Sequence, residues 1–550
     1  MRAFRPGWRS IAALCLLLAV VHTWPLATAP DTLSRNDNGD AMLNEWILAW
    51  IAYQLPRVPA HLFDANIFYP ERDSLAFSEP LIVPALMGAP LAWLGASPVL
   101  VYNIVLILGF ALTAWAGYAL VFEWTRDRAA GMLAGSMFAF NTHTLTRLAH
   151  VQGIHAWGLP LTLLSADRLL RHGRVRDAIW LAVWMAAMAY TSGYLVVFGA
   201  IMTAVVAITR APEWLPRATR IVPLYALAAV AAAAAVVPVY LPYRRVAQNL
   251  HMVRSLSSVS DFSATVTGYL AAAGRVHYAT WSARFFENPV DAFFPGFVVI
   301  ALATGAICWA FIARGTPDAD ADARVTRRRI IMLVAIAATG LILSLGTRTP
   351  VYGWVYHAFP PMQGLRAAAR FGNLFLLGMA ALAGIGLALA RRRLPPRYAG
   401  LAAVALVAAA NIESARAPFL YTKFEGIPPI YSLLRDDPSR VVLAEVPFYP
   451  AQAFFENAPY VLYSTAHWRK LMNGYSGYVP GSYRQNANVF WYFPEPHAVE
   501  AMRRAGVTHV MIHPEKFGDH AEEMWRTVAA SPYLERVAVG ATGIALYKLK

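Results

Sequence analysis

Long hydrophobic runs, separated by short basic segments, recur along the chain almost to residue 415. A helix needs roughly 20 apolar residues to cross a bilayer without tilting. The runs therefore predict a polytopic α-helical membrane protein, in keeping with a chain that is 58% hydrophobic and only 14% charged. We expect about eleven transmembrane helices, near Ile11–Leu26, Pro98–Phe122, Ala129–Phe140, Ala156–Leu170, Ala178–Tyr190, Tyr194–Thr209, Ile221–Leu241, Gly296–Ala313, Ile330–Leu345, Asn373–Ala390 and Tyr398–Ile412.

The pattern changes after the last run, where short apolar stretches alternate with polar ones. Arg440–Phe448 and Val507–His513 are typical of strands, and Leu534–Leu549 of one or two strands around a glycine. Pro496–Ala505 and Asp519–Ala529 are typical of helices. The sequence thus predicts a transmembrane domain over residues 1–415 and a soluble α/β domain over residues 416–550, of ordinary domain size.

Arginines dominate the short segments between the hydrophobic runs, and the formal net charge is +15. In a soluble protein this charge would suggest a nucleic-acid partner, which we do not expect here, because arginines in short loops of a membrane protein mark its cytoplasmic side. All basic loops share that side only if two helices separate each neighbouring pair. This requirement predicts that Ala178–Thr209 forms two helices with a break near Thr191–Gly193. It also predicts that Pro80–Leu94 lies on the outer surface and does not cross the membrane.

The same rule orients the termini. Arg2, Arg5 and Arg9 precede the first run, so we expect a cytoplasmic N-terminus and a first helix that is retained, because no small-residue cleavage site follows it. The C-terminal domain is then extracytoplasmic. The two cysteines lie inside apolar runs and predict neither a disulfide framework nor a cysteine metal site.

Acidic residues cluster in the first outer loop, about residues 28–97. Asp37, Asp40 and Glu45 fall within one short stretch, and the segment from Asp40 to Leu55 has an apolar helical face with Asn44 and Glu45 off it. A carboxylate at a membrane surface can take a proton from a substrate hydroxyl. The alternative is that these acids are solvated loop and helix-cap residues.

Basic residues in two other outer segments are candidates for binding. His143, Arg147 and His150 are spaced as one face of a helix, which would suit a metal ion or contact with lipid headgroups. Arg366 and Arg370 are four residues apart before a predicted helix, which would suit a phosphate or, alternatively, anchoring at the bilayer edge.

The C-terminal domain contains an aromatic and polar stretch, Ser464–Tyr478. Such residues stack on sugars, and they serve equally often in turns and packing. The chain has no Walker A motif, no dinucleotide fingerprint with strand context and no Gly-x-Ser-x-Gly elbow. Chemistry on a soluble nucleotide is therefore not expected.

The arrangement resembles the GT-C superfamily of integral-membrane glycosyltransferases. The likeness rests on a first helix entering from the cytoplasm, a large outer loop with an acidic motif (Asn38-Gly39-Asp40), and a second loop segment introduced by Ser78-Glu79-Pro80. Many further helices and a soluble C-terminal domain follow. Ala41 stands where the commoner pattern has a second acid, and Asp40 matches the essential acid better than Asp37 because a glycine precedes it.

This resemblance implies a bacterial plasma-membrane enzyme that moves a hexosyl or pentosyl group from a polyprenyl-phosphate donor to a glycan or lipid acceptor. It makes Asp40 the catalytic carboxylate residue, with Asp37 secondary. It also makes Glu79 a substrate-binding residue. No cofactor is certain, and a divalent cation remains an option, with Asp37, Asp40 and the His143 segment as candidate ligands. The alternative function is non-catalytic flipping or export of a lipid-linked glycan.

Overall fold

The structure is a computed structural model that describes residues 7–250, 254–287, 292–312 and 321–550. Arg2 and Arg5, which were used to orient the N-terminus, lie outside the described residues. The chain forms two compact units. The helical unit contains residues 1–28, 105–240 and 253–420, and the mixed unit contains residues 29–104, 241–252 and 421–550. The outer loop is therefore part of the same compact unit as the C-terminal segment.

Helices make up most of the secondary structure. The first twelve are α1 (Trp8–His22), α2 (Gly39–Gln54), α3 (Ile82–Trp93), α4 (Pro98–Thr125), α5 (Arg128–Ala139), α6 (Thr142–Thr146), α7 (Val151–Ile154), α8 (Gly158–His172), α9 (Val175–Ala189), α10 (Gly193–Thr209), α11 (Ala211–Trp214) and α12 (Ala218–Asn249). The next twelve are α13 (Leu256–Ser260), α14 (Arg275–Thr280), α15 (Phe297–Ile312), α16 (Ala321–Ser344), α17 (Pro350–Ala358), α18 (Gly372–Arg391), α19 (Pro396–Ser414), α20 (Ser432–Asp436), α21 (Ala458–Tyr463), α22 (Gly481–Phe490), α23 (Pro496–Arg504) and α24 (Ala521–Ala530).

Every hydrophobic run used to predict a span coincides with a helix. The predicted break near Thr191–Gly193 is confirmed, because α9 ends at Ala189 and α10 begins at Gly193. Within the described part of the chain, three helical stretches are both long and apolar enough to cross a membrane, namely Pro98–Thr125, Ala211–Asn249 and Ala368–Arg391. The expected number of about eleven crossings therefore stays a prediction.

The core of the helical unit is built around α18, which packs against α5, α15 and α16. Its sequence, GNLFLLGMAALAGIGLALAR, carries small residues at the contacts. A Cβ at Gly386 would lie 2.0 Å from the carbonyl oxygen of Leu302 on α15, so only glycine allows this approach. Small residues at helix interfaces are how membrane helices approach each other closely.

The mixed unit is organised around a five-stranded sheet in the order β4-β3-β5-β7-β6. Its strands are β3 (Val442–Val446), β4 (Lys470–Leu471), β5 (His509–Ile512), β6 (Leu534–Val539) and β7 (Ala545–Leu549). β3 runs parallel to β4 and β5, and β7 runs antiparallel to β5 and β6. The predicted strands and helices of this region are confirmed in type and place, and β4 is a strand that the sequence did not indicate.

The first outer loop is built into this unit by backbone pairing. The short strand β1 (Leu33–Ser34) pairs with β2 (Thr422–Lys423), and the Phe68 amide donates to the carbonyl of Asn473 across 3.0 Å. Helix α2 packs against α21, and its buried residues surround the helix almost completely. The amphipathic interpretation of α2 is therefore wrong at Asn44 and Glu45, which are both buried.

Candidate functional site

The acidic motif lies at the start of α2. Asn38 is the N-cap, and its side-chain oxygen accepts the backbone N–H of Asp40 at 2.9 Å. Asp40 is thus in the first turn and does not itself cap the helix, which corrects the alternative that made it a plain cap. A Cβ at Gly39 would be crowded, because it would lie 3.3 Å from the Tyr475 ring and 3.2 Å from Ala458.

The carboxylate of Asp40 is held by an aromatic residue from the C-terminal segment of the same unit. The hydroxyl of Tyr475 donates to Asp40 Oδ1 at 2.7 Å. Asp40 is half-buried, and the ring of Tyr475 packs against Phe454 with centroids 5.3 Å apart. A hydrogen bond from a neutral donor to a carboxylate is among the stronger ones in proteins, so the Asp40 side chain has a defined orientation.

Asp37 has a different environment. Its side chain is 43% exposed and forms an ion pair with Arg35 at 2.9 Å. Ion pairs between exposed side chains contribute little to stability and do not orient a carboxylate strongly. The geometry therefore favours Asp40 over Asp37 as the more constrained acid of the motif.

Glu79 lies on the segment that leads into α3 and is half-buried. The residue before it is fixed, because the hydroxyl of Tyr243 donates to the carbonyl of Ser78 at 2.8 Å. Glu79 and Tyr243 belong to the mixed unit, as do Asp37 and Asp40.

A pocket in the helical unit brings together four residues that the sequence singled out. His143, Arg147 and His150 line it with Arg370. The pocket contains about 320 Å³ of space, its open mouth included, and Asn373 and Thr144 add polar groups to the wall. The prediction that one helix carries the first three side chains is wrong, since α6 ends at Thr146 and α7 begins at Val151.

The turn between these short helices places the side chains. Asn141 caps α6 by accepting the Thr144 amide at 2.9 Å, and Arg147 ends that helix. His143 is buried and stacks on Phe293 with ring centroids 4.4 Å apart. His150 directly precedes α7. The pocket is thus rich in nitrogen donors, which suit an anionic oxygen ligand.

Arg366 and Arg370 do not share a helical face. Arg366 lies before the helical turn that starts at Ala368, and its guanidinium stacks 4.9 Å above the ring of Phe262. Arg370 stacks 4.5 Å above the ring of Tyr194 and lines the pocket. The structure therefore separates the predicted pair and keeps Arg370 with the histidines.

Tyr194 fixes the segment that carries both arginines. Its hydroxyl accepts the backbone N–H groups of Arg366 and Ala367 at 3.1 and 3.0 Å, while its ring lies under Arg370. The residues 7–250, 254–287, 292–312 and 321–550 contain no group of three or more His, Cys, Asp or Glu side chains placed to hold a metal ion. The candidate ligand set for a divalent cation thus finds no support in the described geometry.

The fold is similar to that of solved transferase structures. The cryo-EM structure of the arabinofuranosyltransferase AftD from Mycobacteria matches 98% of this chain with a TM-score of 0.59 at 16% identity. The chain spans 40% of the length of AftD. The archaeal oligosaccharyltransferase AglB from Archaeoglobus fulgidus, in complex with an inhibitory peptide and a dolichol-phosphate, matches 99% with a TM-score of 0.51 at 13% identity, and 74% of AglB is covered.

The chain has the GT-C fold. No family model matches the sequence, and no curated protein matches it either. The likeness is thus one of fold, carried by almost the whole chain, and it confirms the fold that the GT-C resemblance implied.

Two residues were not assigned a role at the site from the sequence, although Glu45 was part of the acidic cluster and Tyr475 of the aromatic stretch. Glu45 is fully buried on α2, and burial raises the pKa of its carboxyl to about 8. The side-chain amide of Asn36 lies 2.8 Å from Glu45 Oε1 when its nitrogen faces the carboxyl. A glutamate among apolar residues of a helix was the available signal for Glu45. The only sequence signal for Tyr475 was its position in the aromatic stretch Ser464–Tyr478.

Proposed function

We propose that this protein transfers a glycosyl group from a polyprenyl-phosphate-linked donor to a hydroxyl acceptor at the outer face of a membrane. The observation that carries the proposal is the pocket formed by His143, Arg147, His150 and Arg370. The GT-C fold supports it, since the similar structures include a glycosyltransferase and an oligosaccharyltransferase, the latter solved with a dolichol-phosphate.

The pocket is proposed to bind the donor phosphate. A sugar phosphodiester carries one negative charge, and departure of the sugar leaves a polyprenyl phosphate with a second charge on oxygen. Cationic donors that meet this oxygen stabilise the transition state more than the ground state. Arg370 can form a forked contact with two phosphate oxygens, which a lysine cannot make.

Asp40 is proposed as the general base. The acceptor oxygen attacks the anomeric carbon, its proton moves to the Asp40 carboxylate, and the bond between that carbon and the phosphate oxygen breaks. The products are the glycosylated acceptor and the polyprenyl phosphate. Tyr475 is proposed as a positioning residue, because its hydroxyl holds Oδ1 and fixes the orientation of the carboxylate.

The membrane topology is part of the proposal. The hydrophobic runs are proposed to cross the membrane from a cytoplasmic N-terminus, and residues 416–550 are proposed to lie outside. Helix α3, within the predicted non-crossing segment, contains 12 residues, fewer than the roughly 20 that an untilted crossing requires.

The test uses the purified full chain and a panel of polyprenyl-phosphate sugars, with release of polyprenyl phosphate as the readout. Release that requires both an acceptor and an intact Arg370 supports the proposal. If the protein moves a lipid-linked glycan between the leaflets of vesicles and releases no lipid phosphate from any donor, the non-catalytic alternative is correct.

A further inference from the structure

The helical unit contains a second pocket, formed where three helices end or begin. Trp124 and Thr125 close α4, Thr326 and Arg329 lie in the first turns of α16, and Arg392 directly follows α18. The space of this pocket is about 300 Å³ when the solvent at its open mouth is included. The proposed glycosyl transfer makes no use of these residues.

Arg329 supplies the first sign of a ligand. It is 6% exposed, its guanidinium lies 4.9 Å above the ring of Trp124, and one terminal nitrogen donates to Asp167 at 2.7 Å. Its Nε has no hydrogen-bond partner in the described part of the chain. A buried donor that lacks an acceptor is costly, and an acceptor oxygen of a ligand that reached this guanidinium would lower that cost.

Charge supplies the second sign. The neighbouring carboxylate of Asp167 is already shared by Arg329 and Arg210, and Glu213 pairs with Arg210 as well. Asp127 pairs with Arg391. Among the residues that the structure describes, none that lines the pocket is acidic, and the exposed Arg392 forms no ion pair. The pocket therefore has an excess of positive charge.

We infer that this pocket binds a phosphate group, carried by an anionic lipid headgroup or by free inorganic phosphate. The guanidiniums of Arg329 and Arg392 meet the phosphate oxygens. Ile385 and Leu389 of α18 form an apolar wall beside them. Basic pockets between membrane helices are a recurrent place for lipid headgroups, and arginine is the side chain best suited to a phosphate.

The experiment measures binding to the purified full chain in detergent by thermal shift. The probes are short-chain phosphatidylglycerol, short-chain diacylglycerol without a phosphate, and inorganic phosphate. Saturable stabilisation by phosphatidylglycerol, and not by diacylglycerol, supports the site and a lipid source. Stabilisation by inorganic phosphate at equal concentration supports the site and assigns it to the free ion.

Two variant pairs locate the binding. Thr326→Asp places a negative charge on the wall, and Thr326→Asn has the same shape without the charge. Arg392→Gln removes a guanidinium from the pocket, and Arg393→Gln removes one outside it. We expect Thr326→Asp and Arg392→Gln to weaken binding about tenfold, as the loss of one charged contact would, while their partners bind as the wild type does.

The inference is overturned if neither probe with a phosphate binds, or if both members of each pair bind equally. The Arg392 and Arg393 pair decides alone if Thr326→Asp does not fold, because both arginines are exposed and their removal leaves the buried ion pairs intact.

Discussion

Tyr475 donates its hydroxyl hydrogen to Asp40 Oδ1 at 2.7 Å, although the two residues are 435 positions apart in the chain. The bond joins the acidic motif of the first outer loop to the aromatic stretch of the C-terminal segment within one compact unit. It gives the C-terminal segment a role at the proposed base that neither stretch reveals by itself.

Removal of the Tyr475 hydroxyl is expected to slow turnover about tenfold, because the base is then poorly oriented. In Tyr475→Phe the donor KM should stay unchanged while kcat falls, and unfolding should cost about 1–3 kcal/mol less than in the wild type. Steady-state kinetics and thermal melts measure both. Tyr478→Phe, from the same stretch, is the matched control and should behave as the wild type. A KM increase with constant kcat in Tyr475→Phe would assign Tyr475 to donor binding.

Arg370 and Arg366 provide a second comparison. Both stack on an aromatic ring, but only Arg370 lines the pocket with the histidines. Arg370→Lys should lower kcat/KM for the donor about tenfold, because lysine keeps the charge and loses the forked contact. Arg366→Lys should change it less than twofold. Equal effects of the two substitutions would mean that the pocket does not bind the donor phosphate.

Glu45 predicts a pH dependence of stability. Burial raises the pKa of its carboxyl from the ordinary 4.5 to about 8, so the unfolded chain loses this proton at lower pH than the folded chain does. Its contribution to stability therefore falls as pH rises from about 4.5 to about 8. Glu45→Gln does not titrate and should gain stability relative to the wild type over that interval.

Unfolding in detergent at about pH 5, 6.5 and 8 measures this difference. Asp37→Asn, which removes a partly exposed carboxyl from the same segment, is the matched control. Parallel profiles for Glu45→Gln and the wild type would mean that Glu45 ionises in the folded protein as easily as in the unfolded chain.

The topology makes a labelling prediction. Single cysteines at Ser97 and at Ser531, introduced after both native cysteines are replaced, should react from the outer side of intact cells with an impermeant reagent. The expectation follows from the arginine loops, which share the cytoplasmic side. Labelling at position 531 only after permeabilisation would place the C-terminal segment inside.

Much of the architecture could be predicted because it depends on local patterns. The helices follow the hydrophobic runs, and the break between α9 and α10 followed from the arginine loops. Most strands of the mixed unit followed from alternation and turn residues. The short strand β4 (Lys470–Leu471) has only two residues and therefore carries no pattern that could be detected.

The contacts within the sites could not be predicted, because they join distant segments. Nothing local links Arg370 to His143, which come together only at the wall of the folded pocket. The helical period placed His143, Arg147 and His150 on one face, but the chain turns after Thr146 and achieves the same convergence in another way. Burial of Glu45 depends on packing around α2, whose own sequence suggested a solvent-facing side.

Asp40 is the proposed base of the glycosyl transfer, and Asp40→Asn removes the carboxylate that would accept the proton. Asparagine keeps the shape of the side chain and an oxygen that can accept from Tyr475, and Asn38 still caps the helix, so the protein should fold normally. The decisive measurement is the rate of polyprenyl phosphate release by Asp40→Asn and Asp37→Asn, from a donor that the wild type uses. We predict a fall of about 100-fold or more for Asp40→Asn and near wild-type turnover for Asp37→Asn. A fully active Asp40→Asn enzyme would contradict the account.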